Sequence, residues 1–189
     1  MVDEIARAVA ALRRGEVIVY PTDTLWGLGA DATNARAVER LIALKARPDR
    51  QPISVAVSSN EEIEPLADLT PERRSYLRTH LPGPFTVLLP PSPAARRTLV
   101  PAVAGDHPTI GIRVPDHPLA RALARSLGRP LTATSANRHG TPPARTLAEA
   151  RRAFGTEVGR YVPADPPPSG APSTLVDLTG SRVRERPRR

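Results

Sequence analysis

The chain has 189 residues, enough for one ordinary domain that buries roughly two-thirds of its unfolded surface and too few for two comfortable ones. With 40% apolar and 24% charged residues it reads as a folded globular protein, and with no cysteine it can form neither a disulfide nor a thiolate metal site. The net charge of +8, from 27 basic and 19 acidic side chains, biases partners towards phosphate-bearing molecules such as nucleotides or RNA, although many arginines lie singly on helix-like segments.

The opening "MVDEIARAVAALRR" has neither a basic leader ahead of an apolar core nor an apolar run long enough to span a bilayer, so a cytoplasmic protein without membrane contact is expected. Ile5, Ala6, Val9 and Leu12 recur at helical spacing over 3–13, and Gly15 ends the pattern. "VIVY" at 17–20 reads as a buried strand, and "PTDTLWGLGADATN" at 21–34 as a structured loop in which turn geometry accounts for the two glycines of "GLGAD". Asn34 suits the N-cap of a helix carrying Val38, Leu41 and Ile42, with Ala35 a further candidate.

"PISVAV" at 52–57 predicts a strand, and Thr70 before Pro71 and Glu72 predicts a helix start. "FTVLLP" at 85–90 and "TIGIRVP" at 109–115 predict two strands with no convincing helix between them. "PLARALARSLG" predicts a helix stopped by Gly128; "PLTAT" leads into the polar loop "SANRHGTPPA"; a helix follows through Thr146 to Phe154, and "STLVDLTG" at 173–180 is the last strand. The alternation predicts an α/β domain with a twisted mixed or largely parallel sheet and flanking helices over 1–181. "VPADPPPSGAP" at 162–172 reads as either a mobile loop or a rigid surface excursion, and the basic tail 182–189 as either solvated or touching phosphate.

"LIALKARPDRQPIS" at 41–54 gathers Lys45, Arg47 and Arg50 where a helix gives way to a strand. Lys45 continues the Val38, Leu41, Ile42 stripe and so faces the packed side. Two accounts fit. In one, the lysine stem covers apolar surface while its ammonium, with Arg47, offsets the helix dipole, worth up to about 1 kcal/mol. In the other, the cations converge on a polyanion such as a triphosphate, for which a compact ammonium and a forked guanidinium are well suited. No "GxxxxGK[ST]", "GxGxxG" or "HExxH" pattern is present, the four histidines form no cluster in sequence, and no serine-elbow pattern marks Ser126, Ser135 or Ser173 as a nucleophile.

Read in order, "YPTDTLWGLGADA", "LKARPDRQPI", "LPGPFTVLLP", "TIGIRVPDHPLA", "TATSANRHG" and "PSTLVDLTG" resemble the YrdC-like family of threonylcarbamoyl-AMP synthases in its short, TsaC-type form, over about 15–180. The resemblance implies a single α/β domain enclosing a basic substrate cavity. It implies a nucleotidyltransferase that makes L-threonylcarbamoyl-adenylate and pyrophosphate from L-threonine, bicarbonate or carbon dioxide, and ATP with Mg²⁺. A separate transferase complex then uses the product to modify adenosine 37 of tRNA.

On the family pattern Lys45 and Arg47 face the ATP phosphates, with Arg50 a third, weaker contact. Thr22, Trp26, Arg113, Thr134 and Ser173 are implied to surround threonine, Thr24 lies in the same motif, and Ser135, Asn137 and Arg186 are implied to hold the nucleotide. The family's usual tyrosine or phenylalanine is here Trp26, and its terminal arginine-proline-glycine is here "VRERPRR", so Arg186 before Pro187 stands in for that arginine. Longer relatives carry a C-terminal domain for which this chain is too short. An RNA-binding relative with the same basic cavity but no synthase activity is the alternative, with direct tRNA contact as its partner.

Overall fold

The computed structural model describes residues 2–46, 52–180 and 182–186; Arg47 and Arg50 lie outside the described residues. Among the described residues ten strands form two mixed sheets. In the smaller, β1 (Ile18–Pro21) pairs antiparallel with β2 (Trp26–Gly29) and parallel with β8 (Arg160–Tyr161), and β2 also pairs with β7 (Thr134–Ser135). In the larger, the order is β10 (Arg184–Arg186), β9 (Thr174–Asp177), β4 (Phe85–Leu89), β5 (Ile110–Arg113), β3 (Val55–Ala56) and β6 (Leu131–Thr132). Two neighbouring pairs in the larger sheet run parallel, β3 with β5 and β4 with β9, and the remaining pairs are antiparallel.

The helices follow local chemistry. α2 (Ala35–Lys45) starts where Asn34 Oδ1 accepts the Ala37 amide at 3.2 Å, as expected for an N-cap. α3 (Pro71–His80) starts with Pro71 in its first turn and the Thr70 hydroxyl accepting the Arg73 amide at 3.3 Å. α6 (Pro118–Leu127) stops at Gly128, whose φ of +70° costs glycine nothing. α1 (Val2–Arg13) buries Ala8, Val9 and Leu12, with Ala8 rather than Ala6 completing the face, and α2 buries Ala37 rather than Ala35. No described helix is long and apolar enough to cross a membrane.

β1 explains its own uninterrupted apolar run. Val19 joins one core with α2, β3 and β5, while Ile18 and Tyr20 join a second core with α1 and α6, so both faces of the strand are covered.

Three expectations are corrected. The segment 21–34 is a loop only in part, because β2 runs through it. Gly27 and Gly29 are strand residues on which the Tyr20 ring rests: a Cβ on Gly29 would come within 2.9 Å of that ring, and one on Gly27 within 3.0 Å. Between β4 and β5 lie two short helices, α4 (Pro93–Thr98) and α5 (Pro101–Ala104), each with a proline in its first turn. At the C-terminus, the strand within 173–180 is not the last, because 184–186 forms an exposed edge strand antiparallel to it. The helix over 147–154 is α7 (Leu147–Phe154), capped by the Thr146 hydroxyl.

One segment joins the sheets. Leu131 and Thr132 pair with β3 in the larger sheet, and two residues on, Thr134 and Ser135 pair with β2 in the smaller. The crossing is held by Thr132 N donating to Ala30 O at 2.8 Å and by Ala30 N donating to the Thr132 hydroxyl at 2.8 Å. The polar "TATSAN" stretch therefore lies on the seam.

Candidate active site

A cavity of about 160 Å³ opens on that seam. Thr22, Thr24, Trp26, Thr134 and Ser135 come to it from the smaller sheet and its β1–β2 turn, and Thr86, Arg113 and Ser173 from the larger. The cavity thus gathers Thr22, Trp26, Arg113, Thr134, Ser135 and Ser173 of the residues singled out in the sequence, together with Thr24. Tyr20, Leu25, Gly27, Ala133, Pro143 and Pro172 complete its walls.

The cation at the site is Arg113, at the end of β5. Its Nη2 lies 2.9 Å from Asp23 Oδ1, and both side chains are about nine-tenths buried. Burial pushes the Asp23 carboxyl above its ordinary range against the pull of Arg113, and pushes Arg113 down against the pull of Asp23. Burial likewise lowers the nearby His117 imidazole, opposed by Asp23 and Asp116. Arg113 Nε and Trp26 Nε1 are buried donors with no acceptor among the described residues, on two residues that line the cavity. Such groups are costly unless a ligand or water takes their hydrogens.

The hydroxyls are not equivalent. Thr22 Oγ1 donates to Leu25 O at 2.7 Å and accepts the amides of Thr24 and Leu25 at 3.2 and 3.1 Å. Its proton being spent on Leu25, the 3.0 Å contact with Thr24 must use the Thr24 proton. Thr22 therefore shapes the turn, and Thr24 keeps lone pairs for an incoming N–H or O–H. Across the cavity, the Thr86 and Ser173 hydroxyls share one hydrogen bond at 2.8 Å, leaving one proton between them for a ligand.

Lys45 stands behind this wall. It is 5% exposed, and its Nζ reaches Ser135 O at 2.8 Å, Asn137 O at 3.0 Å and Asn137 Oδ1 at 3.1 Å. Asn137 Oδ1 also accepts the Ser135 hydroxyl at 2.6 Å, and its Nδ2 donates to Arg138 O and Thr141 O. Lys45 and Asn137 thus brace the "SAN" turn, next to the cavity but outside its lining. Arg186 lies on the exposed edge strand, in register with Leu175 and two positions from Ser173, and is not among the lining residues. The Pro-rich stretch is fastened over the β1–β2 turn by Ser169 N to Asp23 O at 3.3 Å and Gly170 N to Thr24 O at 2.8 Å, and brings Pro172 and Ser173 to the cavity.

Sequence reasoning missed Asp23 and Thr86. Asp23 sits inside "PTDT", where the threonines drew attention first. Thr86 is a polar residue in an apolar strand run, and its near-complete burial is the condition that demands a partner.

Fold and site define an α/β domain with a small, hydroxyl-rich, cationic cavity at the junction of two sheets. The chain belongs to the Sua5/YciO/YrdC family, whose model, described as "Telomere recombination", matches residues 10–186. A threonylcarbamoyl-AMP synthase of Chromohalobacter salexigens is 42% identical over 192 residues, covering 97% of each chain. That of Halorhodospira halophila is 44% identical over 160 residues, covering 84% of this chain and 82% of the relative. The crystal structure of P. abyssi Sua5 complexed with L-threonine superimposes with a TM-score of 0.88 at 30% identity over 96% of this chain, which spans 52% of that longer protein. E. coli YciO matches with a TM-score of 0.87 at 26% identity, covering 99% of this chain and 89% of that one.

Proposed function

We propose that this chain is an L-threonylcarbamoyl-adenylate synthase, condensing L-threonine, bicarbonate or carbon dioxide, and ATP with release of pyrophosphate. The carrying observation is the cavity itself, whose lining combines the buried guanidinium of Arg113 with the hydroxyl residues Thr24, Thr86 and Ser173. That set suits a small hydroxylated amino acid, and the P. abyssi relative is a threonine complex.

In this reading Arg113 binds the threonine carboxylate, and Thr24, Thr134, Ser173 and the Trp26 indole enclose the rest. The threonine amine adds to the carbon of carbon dioxide, losing a proton to give a carbamate. A carbamate oxygen then attacks the α-phosphorus of ATP, and pyrophosphate leaves with the electron pair of the broken P–O bond. Positioning and charge neutralisation carry most of the acceleration, with no covalent enzyme intermediate.

The nucleotide lies along the "SAN" turn. Ser135 donates its proton to Asn137, so its hydroxyl offers lone pairs to a ribose or base donor. Lys45, with Arg47 and Arg50, serves the phosphates. All three Lys45 protons have protein acceptors, so reaching a phosphate means exchanging one of them for an anionic oxygen, a stronger acceptor. In this reading Arg186, on the exposed edge strand and outside the cavity lining, meets the nucleotide beyond the rim of the cavity. Mg²⁺ arrives with ATP and is held by its phosphates; among the described residues no group of three or more metal-ligating side chains converges. The product serves a cytoplasmic transferase complex that modifies tRNA adenosine.

The test is the complete reaction. Pyrophosphate release and an adenylate of the expected mass should require threonine, bicarbonate, ATP and Mg²⁺ together. Absence of product under conditions where one of the curated relatives turns over refutes the assignment.

A further inference from the structure

Arg113 enters the cavity from the end of β5, and a guanidinium on a long side chain needs something to fix its plane before it can present a chosen edge to a ligand. The neighbour that does this is not a wall residue. Asp23 is absent from the cavity lining, yet its Oδ1 holds Arg113 Nη2 at 2.9 Å. Asp23 is itself held by its backbone, since its carbonyl accepts the Ser169 amide and the next carbonyl, of Thr24, accepts the Gly170 amide. The carboxylate therefore sits on a turn pinned to the Pro-rich stretch, beside the hydroxyl network of Thr22 and Thr24.

We propose that Asp23 is the positioning residue of the amino-acid subsite: it fixes the Arg113 guanidinium by one nitrogen, Nη2, so that the plane of the guanidinium is set and its remaining donors are kept for the substrate carboxylate. Without Asp23 the guanidinium is both uncompensated and free to rotate, and it turns to other acceptors such as nearby backbone carbonyls. The loss then falls on amino-acid binding and leaves the nucleotide side alone. This rests on the reading of the cavity as the threonine site, and the controls below separate the two.

The experiment is steady-state kinetics with each substrate varied, on the wild type, Asp23→Ala, Asp23→Asn, Arg113→Lys and the double variant Asp23→Ala/Arg113→Lys, with threonine binding followed by calorimetry. Asp23→Ala should raise the KM and Kd for threonine at least about tenfold while the KM for ATP stays within about twofold. Asp23→Asn keeps an oxygen acceptor without its charge and should fall between. Because Asp23 acts through Arg113, the double variant should be little worse than Arg113→Lys alone. An unchanged threonine KM in Asp23→Ala overturns the proposal, as do effects of the two substitutions that multiply, or ATP and threonine KM values that rise together. If Asp23→Ala does not fold, Asp23→Asn carries the same readout, and its unchanged threonine KM overturns the proposal equally. A wild type that neither binds threonine nor releases pyrophosphate overturns the functional reading and this inference with it, whereas an active wild type with an indifferent Asp23 overturns the inference alone.

Discussion

Lys45 shows how the structure redistributes the work of a single side chain. From its spacing it could have been a dipole-compensating cation with a buried stem, or a phosphate ligand. In the structure its ammonium spans from the last turn of α2 to the far side of the seam, satisfying two backbone carbonyls and an amide oxygen of the "SAN" turn. Removing it takes a donor from the Ser135 and Asn137 carbonyls at a site that is 5% exposed, which costs about 1–3 kcal/mol, against at most about 1 kcal/mol for a helix-end charge. Lys45→Ala should therefore melt at a lower temperature and, if the turn it braces holds the nucleotide as proposed, also lose synthase activity by about a hundredfold or more. Thermal unfolding and turnover measured together decide the matter. A variant with normal stability contradicts the bracing role, and one with normal activity contradicts the phosphate role.

At the scale of elements, the β1–β2 hairpin carries the strictest steric demand. Tyr20 is wholly buried, donates its hydroxyl to Thr132 O at 3.1 Å, and lays its ring across Gly27 and Gly29 on the neighbouring strand. A methyl group on Gly29 would meet that ring at 2.9 Å and the Leu131 side chain at 3.1 Å, all within the core, where neighbours have little room to give. Gly29→Ala should cost about 1–3 kcal/mol by overpacking, measured by denaturant titration. Gly128→Ala is a useful contrast, because space there is open and only the positive φ resists. If Gly29→Ala left the midpoint unchanged, the tyrosine would have to occupy a different position.

The same hairpin marks what the sequence could and could not reveal. α2, α3 and α6 were legible because caps and periodicity act locally: Asn34, Thr70 and Gly128 do what their chemistry predicts. β2 was not, since "WGLG" owes its extended form to a tyrosine on another strand, and its glycines read equally well as a turn. α4 and α5 were hidden by their shortness and prolines, and β8 by having only two residues. In the site, threonines, serines and Arg113 stood out through ordered motifs, whereas the Asp23 partnership spans 90 residues and is a property of the fold alone.

At the scale of the whole molecule, the site is a joint. Its walls come from two sheets joined by the Leu131–Ser135 crossing and a shared core, and a ligand touching Arg113 and Ser173 on one side and Thr24 on the other adds a further tie between them. Anything that binds only the native state stabilises it by mass action, by about 2.7 kcal/mol at a ligand concentration one hundred times Kd. For a chain of this length each kcal/mol moves the midpoint by about 2–4 °C, so saturating L-threonine should raise it by about 5–10 °C. The analogues divide the contribution by group. Valine keeps the shape but cannot satisfy the Thr24 lone pairs or the Thr86–Ser173 pair through a hydroxyl, and should shift the midpoint less. Threonine amide keeps the hydroxyl but offers Arg113 no charge, and should shift it least, because the guanidinium is the buried cation of the cavity. Measured with and without a non-hydrolysable ATP analogue, a midpoint indifferent to threonine in both conditions would remove the amino acid from this cavity. A valine shift equal to that of threonine would leave the site amino-acid-binding while dismissing its hydroxyls as the source of selectivity.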